Sequence, residues 1–219
     1  MNKNEFYFIK DRYFSNFKDK YLMKNKEVDE NGKHDRPCYF IFPDTKNNDI
    51  YWLIPISSKV KKYENIYNKI AAKRGSCETI AFADVQGERR AFLMQNMCPA
   101  TSDYLELYVD STNKPVAIKF EDASNIESNA KITLAKHYKG IKTIFPNVDY
   151  IYQELEKELV KARQSINKEQ ERKPLNLNEY KHKANEHNKE LKKNVASLDK
   201  KTQNKKINRK PGSDDPGDR

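Results

Sequence analysis

Two apolar runs separated by a turn-rich segment constrain the fold of this chain more than any other feature of its sequence. The runs cover 38–42 and 50–56, and both are rich in aromatic and β-branched residues. Such residues favour strands, and a run without polar alternation favours a strand buried on both faces. The segment 43–49 between them contains Pro, Asp and Asn, which are typical of turns. The sequence therefore predicts a buried antiparallel hairpin with a longish loop.

The predicted hairpin places polar residues at one of its ends. Arg36 precedes the first strand, while Ser57 and Ser58 finish the second, so these three residues are expected at the same end. The following segment, 59–72, has apolar residues at helical spacing and predicts an amphipathic helix. The serines could simply cap this helix, or the helix N-terminus could attract a phosphate, and the two roles are compatible.

The remaining segments predict further short strands and helices. The strand-like runs are 5–9, 78–84, 89–94, 104–109 and 116–120, and the helical patterns are 11–21, 125–138 and 148–164. The polar stretch 24–35 predicts a flexible loop, and 95–99 predicts an irregular connection. Short antiparallel strands with interspersed helices predict an α+β domain built on a small, strongly bent sheet or barrel.

The first helical pattern contains a group of aromatic residues. Phe14, Phe17 and Tyr21 lie at i, i+3 and i+7 and predict a core-facing stripe. Tyr13 lies beside this stripe, so its phenol is expected to reach a surface or a cleft.

Charge and aromatic content divide the chain. The net charge is +10, and residues 164–219 contribute +6 of it, with 15 Lys and Arg against 9 Asp and Glu. The last Phe is Phe145 and the last Tyr is Tyr180, so the apolar core is expected in 1–164. Residues 165–219 form a predicted basic tail, partly helical at most and disordered from about 202. The charge favours a polyanionic partner such as nucleic acid, although a solvated tail explains part of it equally well.

Several classes of function are disfavoured by the sequence. No apolar run is long enough to span a bilayer and the N-terminus lacks a signal-peptide pattern, which predicts a cytoplasmic protein without a membrane partner. Three widely spaced cysteines suggest neither disulfides nor a zinc site and are expected to be buried as small hydrophobes. The four histidines have no partner at metal-ligand or catalytic spacing, and no glycine-rich phosphate loop occurs.

Hydroxyl, lysine, arginine and tyrosine chemistry remains, and it suits RNA cleavage without a metal or cofactor. The 2′-OH of RNA is itself a nucleophile, so an enzyme need only align it with the phosphorus, stabilise the added charge and assist the leaving oxygen. The expected product carries a 2′,3′-cyclic phosphate.

Four motifs resemble a known family when they are taken in order. They are Phe-Tyr-Phe-Ile at 6–9 followed by Tyr13, Arg-Pro-Cys-Tyr-Phe at 36–40, Trp-Leu-Ile-Pro-Ile-Ser-Ser-Lys at 52–59, and Phe-Leu-Met-Gln-Asn-Met-Cys-Pro at 92–99. This order resembles the ToxN/AbiQ family, the endoribonuclease toxins of type III toxin–antitoxin systems, and most of all its CptN branch. The resemblance covers about 5–163.

The resemblance implies a fold, an activity and a partner. The fold would be MazF/Kid-like, a compact SH3-like antiparallel β-barrel decorated with helices, in the α+β class. The activity would be metal-independent, sequence-selective cleavage of RNA, often at adenine-rich sites. The toxin would be inhibited by a small repetitive pseudoknot RNA that it also processes, and toxin and RNA would close into a ring-like assembly.

The resemblance also implies roles for particular residues. The expected catalytic residues are Ser58, Ser57, Lys59 and Tyr13. The expected RNA-binding residues are Arg36, Lys61, Lys62 and Tyr39. Lys59 follows the serines directly, whereas some relatives have a proline between serine and lysine, so Lys61 remains the alternative active-site lysine.

Two other readings of the sequence stay open. One is a non-catalytic RNA-binding module that holds RNA through aromatic stacking and phosphate contacts. The other is an accessory protein of a mobile element, in which the long charged tail is the interaction element.

Overall fold

The computed structural model describes residues 2–29, 32–172, 185–187 and 189. The chain divides into two compact units, Met1–Arg163 and Gln164–Arg219. In the second unit the described residues 164–172, 185–187 and 189 are helical. The predicted disorder from about 202 lies outside the described residues.

The first unit alternates short strands with helices. The strands are β1 (Phe6–Ile9), β2 (Lys26–Asp29), β3 (Gly32–Asp35), β4 (Pro37–Pro43), β5 (Ile50–Ser57), β6 (Ile80–Val85), β7 (Glu88–Leu93), β8 (Cys98–Thr101) and β9 (Leu105–Leu107). The helices are α1 (Asp11–Asn16), α2 (Val60–Arg74), α3 (Phe120–Tyr138) and α4 (Val148–Arg172), with 3₁₀ turns at Met94–Asn96 and Ser102–Tyr104. The residues of α4 up to Arg163 belong to this unit. Among the described residues, no helix combines the length and apolar character needed to cross a membrane.

Seven of the strands form one antiparallel sheet. Its order is β6-β7-β5-β4-β1-β9, with β8 paired to the other half of β5, and β2 and β3 form a separate hairpin. The predicted α+β class with an antiparallel sheet is therefore confirmed. The edge strands β6 and β9 do not pair with each other within the described part of the chain, so closure into a barrel is not confirmed.

The central hairpin has the predicted strands and direction. β4 and β5 pair antiparallel with Cys38 opposite Pro55, and a bulge lies between Phe40 and Phe42. Side chains from the two strands enter two different core clusters, so both faces of the hairpin are buried. Helix α3 packs on one face, and α1 and α4 pack on the other. The burial predicted from the continuous apolar runs is confirmed.

The loop between β4 and β5 is held by a buried carboxylate. Asp44 accepts hydrogen bonds from Trp52 Nε1 at 3.0 Å, from Tyr152 Oη at 2.8 Å and from the backbone N–H of Lys46 and Asn47 at 2.8 and 3.2 Å. Burial alone would raise the pKa of Asp44, but these hydrogen bonds outweigh it and lower the pKa below its usual value. The carboxylate therefore ties the loop to α4.

The first helix departs from the prediction. It ends at Asn16 rather than near Tyr21, so the aromatic stripe does not continue, and Tyr21 is 47% exposed. Phe17 is buried in the core, and Tyr13, expected at a surface or cleft, is fully buried. Beyond the end of the helix, Asp19 accepts a hydrogen bond from the backbone N–H of Tyr21 at 2.7 Å, and such a local side-chain bond replaces helical bonding for that N–H.

Three other segments differ from their predictions. The stretch read as a flexible loop contains the hairpin β2–β3, and the predicted irregular connection leads into strand β8. The predicted strand at 116–120 is not a strand, although Ala117 forms an isolated bridge with Glu5. Cys38, Cys77 and Cys98 are free and buried, as predicted.

Candidate functional site

The end of β5 is fixed by its neighbours and by a local hydrogen bond. Ser57 pairs with Ala91 of β7 and is buried. Its Oγ accepts a hydrogen bond from the backbone N–H of Lys59 at 3.3 Å, and the carbonyl of Ser58 accepts one from Val60 N–H at 2.8 Å. The turn into α2 is thereby held in place, and the half-buried Ser58 is left at the edge of the sheet.

Ser58 opens onto a cleft of about 380 Å³, which we call the β5 cleft. The cleft is lined by Phe8, Asp35, Pro37, Ile56, Ser58, Val85, Gln86, Arg90 and Tyr108. These residues come from β1, β3, β4, β5, the β6–β7 hairpin and the segment after β9. The cleft thus combines aromatic, cationic, hydroxyl and carboxylate groups at the end of a rigid strand, which is an arrangement suited to binding and chemistry.

Positive charge is concentrated where α2 begins. Lys59, Lys61 and Lys62 are exposed, and the first turn of α2 contains no acidic residue. The N-terminus of a helix carries a partial positive charge, so three lysines there disfavour the helix unless an anion is nearby. This placement favours an anion, such as a phosphate, next to Ser58.

Arg36 supports the end of β5 through hydrogen bonds to backbone carbonyl groups. It is buried, its Nη1 donates to the carbonyl oxygen of Ile56 at 2.7 Å, and its Nε donates to the carbonyl of Lys24 at 3.1 Å. The prediction that the hairpin brings Arg36 to the same end as the serines is confirmed by this contact. Its guanidinium group braces the backbone that leads to Ser58.

The two tyrosines predicted as site residues lie in the core. Tyr13 Oη donates to the carbonyl of Pro99 at 2.7 Å, and Tyr39 Oη donates to Asn4 Oδ1 at 2.9 Å. Burial raises the pKa of both phenols, so each remains protonated at neutral pH. Neither lines the β5 cleft, and the catalytic role of Tyr13 and the RNA contact of Tyr39 stay predictions.

Several residues of the cleft were not identified from the sequence. They are Phe8, Asp35, Gln86, Arg90 and Tyr108. Asp35 Oδ1 contacts Lys26 Nζ, and the guanidinium of Arg90 contacts the Glu88 carboxylate. The only sequence signal among them is the Gln-Gly pair that marks a tight turn, because the others meet through strand pairings that the sequence pattern does not specify.

A larger groove of about 620 Å³ lies elsewhere in the first unit and shares no lining residue with the β5 cleft. It contains a contact between His137 Nε2 and both carboxylate oxygens of Asp149, at 3.2 Å each. His137 was predicted to be non-catalytic from its isolation in sequence, and its partner lies at the start of the next helix.

No protein-family model and no curated protein sequence matches the chain. Solved structures, however, share its fold. One comes from a bacterial antiviral system regulated by a processed non-coding RNA, with a TM-score of 0.53, 15% identity, and coverage of 69% of this chain and 97% of the other.

Two further structures match over most of their length. AbiQ, a lactococcal anti-phage endoribonuclease of a type III toxin–antitoxin system, has a TM-score of 0.51 and 15% identity, over 74% of this chain and 99% of AbiQ. A type III toxin that is selectively inhibited by a non-coding RNA pseudoknot has a TM-score of 0.50 and 12% identity, over 72% and 98%. The chain therefore has the fold of type III toxin–antitoxin endoribonucleases, and the resemblance predicted from its motifs is confirmed at the level of fold.

Proposed function

We propose that this chain is an endoribonuclease toxin of a type III toxin–antitoxin system, with 1–164 as the toxin domain. The observation that carries the proposal is the position of Ser58, which lies in a cleft beside a helix N-terminus with three lysines and no acidic residue in its first turn. The shared fold supports the same conclusion, because the solved structures that share it include an endoribonuclease.

The proposed reaction is attack of the RNA 2′-OH on the adjacent phosphorus. The bond from O2′ to phosphorus forms, the bond from phosphorus to O5′ breaks, and the products are a 2′,3′-cyclic phosphate and a 5′-OH. Ser58 Oγ donates to a non-bridging oxygen, and Lys59 stabilises the charge that develops there, with Lys61 as the alternative. Cations and dipoles aimed at developing charge are worth most in a site that excludes water.

Proton transfer needs a group that can accept the 2′-OH proton. Asp35 is the one carboxylate among the residues that line the cleft, and a carboxylate can act as a general base. We assign this role to Asp35. The proton required by the leaving O5′ is supplied from Lys59 or from solvent.

The remaining predicted residues support the site in this proposal. Ser57 and Arg36 hold the backbone on which Ser58 is mounted, through the contacts described above. Lys61 and Lys62, exposed on α2, bind phosphates that flank the cleaved one. The burial of Tyr13 favours a supporting role in which it positions β8 against β5.

The reaction as written requires neither metal nor cofactor. By analogy with the pseudoknot-inhibited toxin of the same fold, we propose that a repetitive pseudoknot RNA inhibits the protein and is processed by it. A ring of alternating protein and RNA and action on messenger RNA in the cytoplasm complete the proposal.

A cleavage assay in EDTA tests this function. The unmodified protein should cut a defined single-stranded RNA and leave 2′,3′-cyclic phosphate termini, as identified by mass spectrometry. Ser58→Ala should lower kcat by roughly 10²–10³-fold, the typical effect of losing one such donor. Ser124→Ala, an exposed serine on α3, is the matched control and should cleave normally. Equal rates for Ser58→Ala and the unmodified protein would refute the site, and RNA that is bound but never cut would favour the binding-module alternative.

A further inference from the structure

Two aromatic rings form one wall of the β5 cleft. The rings of Phe8 and Tyr108 lie with centroids 4.9 Å apart at an interplanar angle of 56°. Both residues are only half-buried, although Phe8 lies in a strand whose other three residues are buried. The pair is held by the sheet, since Phe8 pairs with Glu106 of β9 and Tyr108 N–H donates to Phe6 at 2.8 Å. Rigid, partly open aromatic rings next to a phosphate site are suited to stacking on a nucleobase.

A glutamine stands over the same cleft in an unusual backbone conformation. Gln86 and Gly87 are the two turn residues of the β6–β7 hairpin, with φ of 52° and 83°. Such turns favour Asn or Asp before Gly, because those short side chains tolerate positive φ. The longer side chain of Gln86 instead reaches Tyr108, whose Oη donates to Gln86 Oε1 at 2.9 Å.

This hydrogen bond sets the orientation of the carboxamide at the cleft. An amide oxygen has a second lone pair, and the NH₂ group offers donors, so the side chain can both accept from and donate to a ligand. A carboxamide therefore complements the edge of a base that presents an acceptor beside a donor. Phe8 and Tyr108 thus provide a surface for stacking, and Gln86 provides a group that can hydrogen-bond to the edge of a base.

We infer that the β5 cleft holds one unpaired nucleobase of the RNA, stacked on Phe8 and Tyr108 and read by the carboxamide of Gln86. Gln86 is thus a specificity-determining residue. The inference rests on the proposed function, because the cleft is taken to be the place where the RNA chain passes Ser58.

Two substitutions of Tyr108 separate the contribution of stacking to RNA affinity from the contribution of Gln86 to base preference. Tyr108→Ala removes the ring and should weaken RNA binding by roughly 5- to 150-fold, the range measured for loss of one base–aromatic stack. Tyr108→Phe keeps the ring but releases Gln86, so it should bind with nearly normal strength and reduced base preference. Phe120→Ala, which removes a 78% exposed ring on α3, is the control and should change neither.

Selection of a randomised single-stranded RNA pool by the full-length Ser58→Ala protein tests the reading. One position of the bound RNA should show a strong base preference. Gln86→Met should abolish that preference, and Gln86→Glu should shift it toward bases that offer donors, since a carboxylate only accepts. Any general repulsion by the added charge affects all sequences alike and leaves the ratio between them interpretable.

Binding preference and cleavage are read separately. If the preference is the same with Met or Glu at position 86, the inference is wrong even when the unmodified protein cleaves RNA. If the preference depends on Gln86 but the unmodified protein leaves the pool intact, the base site stands and the proposed nuclease function fails. A protein that shows no preference at any position overturns the inference directly.

Discussion

Replacement of Tyr13 by phenylalanine removes a single hydroxyl group from the core and tests whether this tyrosine supports the fold or performs chemistry. The hydroxyl donates to the Pro99 carbonyl at 2.7 Å in a fully buried setting. The variant keeps the ring, whose centroid lies 4.8 Å from that of Phe17 and 5.4 Å from that of Tyr104. The substitution removes the hydrogen bonds of the hydroxyl, to Pro99 and to the Cys98 thiol, and keeps the packing of the ring, so the interpretation does not depend on a cavity.

The expected loss of stability depends on the hydrogen bond that is removed and on the carbonyl acceptor that loses its partner. A typical buried hydrogen bond contributes about 0.5–1.5 kcal/mol net, and a buried acceptor left without a partner costs about 1–3 kcal/mol. The free energy of unfolding of Tyr13→Phe should therefore fall by about 1–3 kcal/mol. For a domain of this size that corresponds to a fall in Tm of roughly 2–12 °C.

Urea unfolding and RNA cleavage, both measured well below the Tm, separate the two roles. We expect reduced stability with kcat/KM close to that of the unmodified protein, because Tyr13 does not line the β5 cleft. Tyr150→Phe, at a half-exposed tyrosine, is the control and should leave both quantities unchanged. The reasoning is refuted if Tyr13→Phe loses most of its activity while its stability stays the same, since the phenol would then act on the substrate.

Two further substitutions test contacts that support the site. Asp44→Asn should lower stability by about 1.5–3 kcal/mol at pH 7, because an amide cannot accept from Trp52, Tyr152 and the backbone together. Because the pKa of Asp44 is lower in the folded state, its contribution to the free energy of unfolding is complete above the unfolded pKa of about 3.9 and is lost as pH falls through the folded pKa. Urea unfolding should therefore show a smaller loss of stability for Asp44→Asn at pH 3 than at pH 7. Arg36→Lys replaces a guanidinium group that donates to the carbonyls of both Lys24 and Ile56 by an ammonium group of different geometry, so the support of Ile56 should weaken and kcat should fall more than KM rises. If Arg36 instead contacted a phosphate directly, the substitution would raise KM and reduce the salt dependence of KM.

The central hairpin could be predicted because its signals are local. Continuous apolar runs define β4 and β5, and the turn residues between them leave few alternatives to antiparallel pairing. The position of Arg36 beside Ile56 follows from that pairing alone, over a separation of only 20 residues. The same holds for α2, which ends at Gly75 with a φ of 81°, as a glycine C-cap predicts.

Other elements depend on contacts that no local pattern encodes. β8 has four residues, one of them Pro99, and is a strand because it lies along residues Ile50 to Leu53 of β5. The β2–β3 hairpin has a polar sequence without apolar alternation, so no local pattern indicated its strands. The segment after α1 is held by a distant contact, because the Asp19 carboxylate also accepts a hydrogen bond from the backbone N–H of Asn147 at 2.6 Å, a partner 128 residues away.

The same distinction between local and long-range contacts explains which residues of the cleft could be predicted from the sequence. Ser58 could be predicted because it directly follows the long apolar strand β5, and a polar residue at the end of a rigid, buried strand is both held in position and accessible. Phe8 and Tyr108 face it only because β1 pairs with β9, a connection that closes about 100 residues of chain. The loop-closure entropy of such a pairing grows slowly with length, so the chain can form it, but its register is set by packing and not by residues nearby in sequence. Chemistry carried by one hairpin can therefore be read from the sequence, whereas a base-binding wall such as this one becomes visible only when the sheet is known.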